Sequence, residues 1–306
     1  MEANANRRTE PHMSLPAFEY LEPQTAREAC QLLAQYPEQA RIYAGGTSLL
    51  LLMKQGILQP AYLINIKKIH NLRGIHDENG RLRIGALTTH HDLEVSPVIR
   101  QYLPAISEAE PEIANIRVRS TGTIGGNLAF AEPLTDLPPI LIALDARVRI
   151  EGPAQIRSMP VQDLFAGYYE STLAPDELLA EVEVNKTLSH FGLRYRRFSA
   201  GSDKPAVGCA AAVRIDPGTG TCVDARVVLG CVAPTPLRVQ EAEAALVGNS
   251  YNSELGNEVA RIASRACSPM SDIRGSEEYK RTIVGVLTRS AVAEAFQRAR
   301  GGSPRS

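Results

Sequence analysis

Apolar positions in the first part of this chain recur at helical and alternating spacings in turn. Thr25-Ala-Arg-Glu28 has the form of a capping box, and Ala29, Leu32 and Leu33 follow on one helix face, so the pattern predicts a helix to about Tyr36, ended by Pro37. Short strands are predicted at 41–44, 61–66 and 81–86, the last alternating as a half-buried strand does. Ser96-Pro97 combines an N-cap with a first-turn proline and opens a helix over about 98–109. A second alternating run, Ala146 to Ile150, follows the proline-rich 133–139 segment, with its arginines expected to face water.

Further along, the pattern changes. Residues 185–192 are polar and without period, and the domain boundary is expected just before them, near 180. Runs at 206–215 and 222–232 are strand-like and joined by Asp216-Pro-Gly-Thr-Gly220, a strong hairpin signal. Helices are predicted at about 253–267 and 276–300, the second ending at Gly301-Gly302. The expected division is a disordered tail at 1–13, a first domain at 14–180, a second at 181–300 and a polar tail at 301–306. The second domain reads as a smaller α+β module with an antiparallel sheet.

Composition narrows the function. The chain has 306 residues, enough for two domains, with 44% hydrophobic and 22% charged residues, ordinary for a folded globular protein. With 33 basic against 34 acidic residues, no global field draws it to nucleic acid or an anionic membrane. Arg7-Arg8 is followed by no apolar segment suited to an export signal, and no apolar run reaches bilayer-spanning length, so a cytoplasmic protein without membrane insertion is expected. The cysteines, 5 in number, show no CxxC pair, which argues against a disulfide framework, a zinc site or iron in this chain.

The candidate chemistry lies in two glycine-paired loops, Ala44-Gly45-Gly46-Thr47-Ser48 and Thr123-Ile124-Gly125-Gly126-Asn127. Glycine permits close backbone approach, successive amides form an anion-binding concavity, and a hydroxyl or side-chain amide can complete the shell around a phosphate oxygen. Neither loop is GxxxxGK[ST], and no GxGxxG follows a strand. Either loop by itself is as well explained by a tight turn.

Taken together with their flanks they are more specific. Tyr43-Ala-Gly-Gly-Thr-Ser-Leu-Leu-Leu-Leu-Met-Lys54, Ile84-Gly-Ala-Leu-Thr-Thr89, Gly122-Thr-Ile-Gly-Gly-Asn-Leu-Ala129 and Ser271-Asp-Ile-Arg-Gly-Ser-Glu-Glu-Tyr-Lys-Arg281 occur in that order. Over roughly residues 14–299 the chain resembles the FAD-binding medium subunit of the xanthine dehydrogenase and carbon monoxide dehydrogenase family of molybdenum hydroxylases.

The resemblance implies an α+β fold: a two-subdomain FAD-binding domain of the vanillyl-alcohol-oxidase (PCMH) type, followed by the smaller C-terminal domain. It implies that both loops hold the FAD pyrophosphate, chiefly through backbone amides. Ala44, Gly45, Gly46, Thr47, Ser48 and Leu49 form one side of that site and Gly122, Thr123, Gly125, Gly126 and Asn127 the other, with the side chains of Thr47, Ser48, Thr123 and Asn127 adding bonds. Asp136 would accept from ribose hydroxyls, or else cap the helix beginning at Leu137. Ala86, Thr88 and Thr89 would line the flavin cleft, or simply pack a strand end, with Leu179 as an apolar wall.

Some relatives link flavin to a histidine of the first loop; Thr47 stands there instead, so the FAD is expected to be non-covalent. The segment Ser199 to Ala206 carries no aromatic residue where some relatives cover the isoalloxazine ring, and leaves Lys204 or Pro205 in that place. Arg117 and Arg119 would contact a phosphate or a partner, or form a solvated surface pair. No catalytic acid, base or metal ligand is assigned. The implied role is electron relay from the 2Fe-2S clusters of a small subunit through FAD to NAD+, oxygen or a quinone-like acceptor. Substrate would be hydroxylated at the molybdopterin of a large subunit, in a dimer of heterotrimers. The alternatives are a free-standing FAD oxidase or reductase of the same fold, and a flavin-free assembly protein.

Overall fold

The computed structural model describes residues 15–186, 189–201 and 203–301. The tail expected at 1–13, with Arg7-Arg8, lies outside the described residues, as does the polar end from Gly302 onward.

The chain begins with a three-stranded parallel sheet in which Tyr62–Asn65 lies between Glu19–Leu21 and Ala40–Tyr43. The predicted first helix, Ala26–Gln35, turns Ala26, Ala29, Cys30 and Leu33 inward. Thr25 caps it by accepting from the Glu28 amide at 3.1 Å. The Glu28 carboxylate reaches one residue further back than a capping box requires and accepts from the Gln24 amide at 2.7 Å.

A five-stranded antiparallel sheet follows, in the order Ile75–Glu78, Arg81–Gly85, Leu178–Asn185, Arg147–Glu151, Ile156–Pro160. Its inward residues, Leu82, Ile84, Val148, Ile150 and Val182, share one core with Ile106, Leu128, Ile140 and Leu141 from the helices laid against it. The helix expected over 98–109 is two, Pro97–Tyr102 and Pro104–Ala109. Pro104 forces the break, because its ring disfavours helical geometry at Leu103, which sits at φ −132°, ψ 53°. The strand Leu178–Asn185 stays paired to its end, Asn185 opposite Arg81. The division expected at 180 therefore falls inside a strand of the first domain, and the change of sheet comes after Asn185.

The second module is a four-stranded antiparallel sheet, Phe191–Phe198, Val207–Ile215, Cys222–Gly230 and Leu237–Arg238, with helices Gln240–Leu246, Ser253–Ala266 and Glu277–Arg300. The expected hairpin is its centre. Val207–Ile215 is buried on both faces: Ala210 and Ala212 join the core of the first domain, whereas Cys209, Ala211 and Val213 join the core beneath the C-terminal helices. The run of small residues lets two cores meet through one sheet. All 5 cysteines are buried thiols. Among the described residues, no helix is long and apolar enough to cross a membrane.

Candidate functional site

The two sheets and the second module enclose a cleft of about 700 Å³, within the range of ligand-binding pockets. Of the residues expected to bind a cofactor, Ala44 through Leu49, Ala86, Gly122, Thr123, Gly125, Gly126, Asn127, Asp136, Leu179 and Lys204 line it.

The two loops touch. A Cβ added at Gly45 would lie 2.2 Å from the Thr121 carbonyl oxygen and 2.9 Å from Gly122 Cα, so only hydrogen at that position allows this approach. The first loop leaves the end of Ala40–Tyr43 and enters the helix Leu49–Lys54, turning at Gly46, whose φ of +75° and contact with the Tyr43 ring exclude a side chain. Among the described residues, none accepts a hydrogen bond from the amides of Gly45, Gly46, Thr47 or Ser48. Four donors thus stand ready on one turn.

The second loop differs from expectation. Thr123 caps the helix Ile124–Phe130 and accepts from the Gly126 amide at 3.1 Å. The amides of Gly122, Ile124, Gly125 and Asn127 bond to the carbonyls of Val118, Thr88, Ala86 and Thr123. These amides serve the fold, so the loop does not match the first as an amide donor. What it offers is the Asn127 side chain, whose buried Oδ1 has no partner, and the exposed, side-chain-free position of Gly126. Gly125 is packed on Ala86, where a Cβ would come within 2.5 Å of the alanine methyl.

Thr88 and Thr89 do not line the cleft. Buried Thr88 donates to the Gly74 carbonyl at 3.1 Å, and Thr89 forms a capping box with Asp92 at the head of His90–Val95. The strand-end alternative therefore fits Thr88, whereas Thr89 is a helix cap. His90, immediately after them, does line the cleft. Its Nδ1 lies 3.0 Å from Oε2 of Glu110, a carboxyl with no exposed surface. Phe130, edge-on to Tyr169 with ring centroids 5.3 Å apart, adds an aromatic ring to the lining.

Asp136 borders the cleft while being 3% exposed. It stands at the head of Leu137–Ala143 but makes no side-chain cap bond. Its carboxylate accepts from the Tyr195 hydroxyl at 2.7 Å and faces the Arg197 guanidinium at 3.4 Å, both on the second module. Burial pushes its pKa up to about 6 against the opposing pull of Arg197 and Tyr195. Leu178 and Leu179 form the apolar wall, and Glu177 before them is held by a two-pronged bond from Arg157, at 2.7 Å on each side. Lys204 pairs with Glu132 across the cleft. The alternatives for Arg117 and Arg119 divide: Arg117 is exposed, but Arg119 is not solvated, bonding Glu94 and the carbonyls of Ile113 and Ala114.

The four open amides and the bare Gly126 fit a diphosphate, the unpartnered Asn127 oxygen can accept from a ligand hydroxyl or N–H, and the adjoining apolar wall fits an aromatic ring system.

Residues 16–186 match the family model described as the FAD binding domain in molybdopterin dehydrogenase, and residues 195–295 that of the CO dehydrogenase flavoprotein C-terminal domain. The chain is 36% identical to the carbon monoxide dehydrogenase medium chain of Hydrogenophaga pseudoflava, covering 92% of this chain and 98% of that one. It is 29% identical to the xanthine dehydrogenase FAD-binding subunit of Escherichia coli O157:H7, over 90% and 95% of the two chains. A solved structure of the Hydrogenophaga pseudoflava carbon monoxide dehydrogenase aligns with a TM-score of 0.90 at 37% identity, covering 94% of this chain and 99% of that chain. This chain belongs to the FAD-binding medium subunits of the molybdenum hydroxylases, the family of the carbon monoxide and xanthine dehydrogenases.

Proposed function

We propose that the cleft holds one FAD without a covalent link, its pyrophosphate on the amides of residues 45–48 and on the Asn127 side chain. The chain would relay electrons within a complex that also contains a molybdopterin-bearing large subunit and a small subunit with 2Fe-2S clusters. The observation that carries the reading is the contact of Gly45 with Thr121 and Gly122, which sets four unused amide donors beside the loop that carries the bare Gly126.

Bound FAD would supply a two-electron store that joins one-electron donors to a two-electron acceptor such as NAD+, oxygen or a quinone. The protein's own part is to bind and orient. The first loop neutralises phosphate charge with backbone dipoles, Thr47 and Ser48 add hydroxyls, and Asp136 presents carboxylate lone pairs for ribose hydroxyls. Ala86 and Leu179 exclude water from the ring system. Thr47 cannot form a histidyl link, so the flavin should leave intact on denaturation.

The test is affinity purification of the tagged chain from its native host, followed by analysis of flavin, molybdenum and iron. The reading expects one flavin per chain, released by acid, with molybdenum and iron only in co-purifying chains. A colourless chain that ignores added FAD would end it, and robust reduction of small substrates by the isolated chain would favour a free-standing enzyme. A dimer of heterotrimers in the cytoplasm is the expected form, measurable by the mass of the native complex.

A further inference from the structure

The pair His90–Glu110 has no place in the reading so far. His90 heads the helix His90–Val95, donates its amide to the Gly122 carbonyl at 3.1 Å, and is only 4% exposed. One edge of that ring is fixed by Glu110, with Nδ1 3.0 and 3.3 Å from the two carboxyl oxygens. The opposite edge faces the junction of the glycine loops: a Cβ built on Gly122 would lie 3.3 Å from His90 Cδ2 and 3.6 Å from Thr47 Oγ1. Nε2, bonded to that Cδ2 edge, has no partner among the described residues, and the side chain lines the cleft.

We propose that His90, oriented by Glu110, donates a hydrogen bond from Nε2 to a phosphate oxygen of the cofactor where the two loops meet. This rests on the FAD reading above. Glu110 acts through the imidazole and is a positioning residue.

Proton balance gives the inference its content. Burial pushes the Glu110 carboxyl up, so an unprotonated carboxylate beside a neutral imidazole is disfavoured there. With one more proton the pair is neutral overall, either as imidazolium facing carboxylate or as imidazole accepting at Nδ1 from the carboxylic acid. Both arrangements leave a hydrogen on Nε2. When the pair loses that proton, Nδ1 keeps the remaining hydrogen and Nε2 turns a lone pair towards the phosphate. Phosphate binding therefore holds the proton on the pair, and affinity falls as pH rises past the pair's midpoint. The groups around it are Asp136, backed by Tyr195, Arg197 and Glu112, and Glu94, which bonds Arg119 and His91.

The test titrates the flavin-free full-length chain with FAD, ADP and riboflavin from mildly acid to alkaline pH, with folding checked by circular dichroism. His90→Asn is expected to weaken FAD and ADP roughly 10- to 100-fold near neutrality, the range for a bond to a charged group, while leaving riboflavin, which has no phosphate, unchanged. The fall in wild-type FAD affinity with rising pH should flatten in this variant, apart from any step near pH 6 that belongs to Asp136. Glu110→Gln keeps the shape of the side chain and should move the fall to lower pH. If His90→Asn does not fold, that displacement decides the matter. Wild-type FAD and ADP affinity in His90→Asn, or an undisplaced profile in Glu110→Gln, overturns the role of the pair and leaves the FAD site standing. A wild-type chain that binds riboflavin as tightly as FAD, or binds neither, ends both.

Discussion

Gly45 and Thr121, 76 positions apart in the sequence, are in direct contact, so close that a methyl group on Gly45 would sit 2.2 Å from the Thr121 carbonyl oxygen. The opposing atom is backbone and cannot swing aside. Gly45→Ala must push the two loops apart, at about 1–3 kcal/mol for an overpacked contact. The expected outcome is a folded chain with a lower urea midpoint and little retained flavin, read as absorbance per chain after gel filtration.

Gly126→Val separates phosphate approach from folding. A Cβ there meets only Thr123 Oγ1, at 3.0 Å, and Gly126 lies exposed in a helix, where valine costs no more than glycine. Stability should stay within about 1 kcal/mol of wild type while most of the flavin is lost. Unchanged flavin absorbance would remove Gly126 from the site. Gly46→Val is a poorer probe, because a φ of +75° and the Tyr43 ring make it strained even without a ligand.

Much of this site is legible in the sequence, since a glycine pair followed by a small hydroxyl or amide residue is a local pattern. The asymmetry between the loops is not, because it depends on where acceptors such as the Ala86 and Thr88 carbonyls lie in space. Thr89 carries its own warning, since Asp92 three residues later completes a capping box and marks it as a helix cap. Asp136 depends on Tyr195, 59 positions downstream, in a strand hidden behind a polar, aperiodic stretch. That strand, Phe191–Phe198, alternates Leu193 and Tyr195 inward against Arg194 and Arg196 outward, whose charges are met by Glu108 and Glu294 of other elements. The helix expected over 98–109 runs through Pro104, although the proline marks the break locally; the continuation of Leu178–Asn185 past 180 carries no such mark, because its pairing partners are remote in sequence.

The carboxyl of Asp136 ties stability to pH. Burial raises it from an ordinary 3.8 to about 6, so the folded chain holds its proton more tightly than the unfolded chain does. Its contribution is fully present below the unfolded value and is lost as pH rises from about 4 through about 6, by at most about 3 kcal/mol. Asp136→Asn should flatten that part of the profile. Urea midpoints of the flavin-free chain, measured at half-unit steps of pH, test the sign.

Thiol chemistry should be silent in the native state. All 5 cysteines are buried, and burial pushes Cys30 and Cys209 up to about 12, which leaves almost no thiolate at neutral pH. A disulfide reagent should therefore react slowly with the native protein and with all 5 thiols once it is unfolded in denaturant. Rapid native reaction of one thiol would mean that its surroundings open on the timescale of the assay.

The ion pair Lys204–Glu132 joins the two modules over the cleft. Lys204 comes from the turn between Phe191–Phe198 and Val207–Ile215, and Glu132 from the segment after Ile124–Phe130. Glu132 also accepts from the Tyr169 hydroxyl at 3.3 Å, and its side chain is 10% exposed against 48% for Lys204. An opening wide enough to release a dinucleotide has to separate this pair, so it acts on the off-rate. Because the lysine is well solvated the effect is small, and Lys204→Ala should speed FAD release only about two- to five-fold. Glu132→Ala should have the larger effect, since it also strips the Tyr169 hydroxyl of its acceptor. The exchanged pair, Lys204→Glu with Glu132→Lys, restores the attraction and should bring the rate part of the way back, whereas loss of packing could not be recovered in this way. Stopped-flow release into an excess of an FAD-specific apoprotein, run at low and high salt, measures it. Equal rates for the single and exchanged variants at low salt would show that the pair does not restrain the cleft.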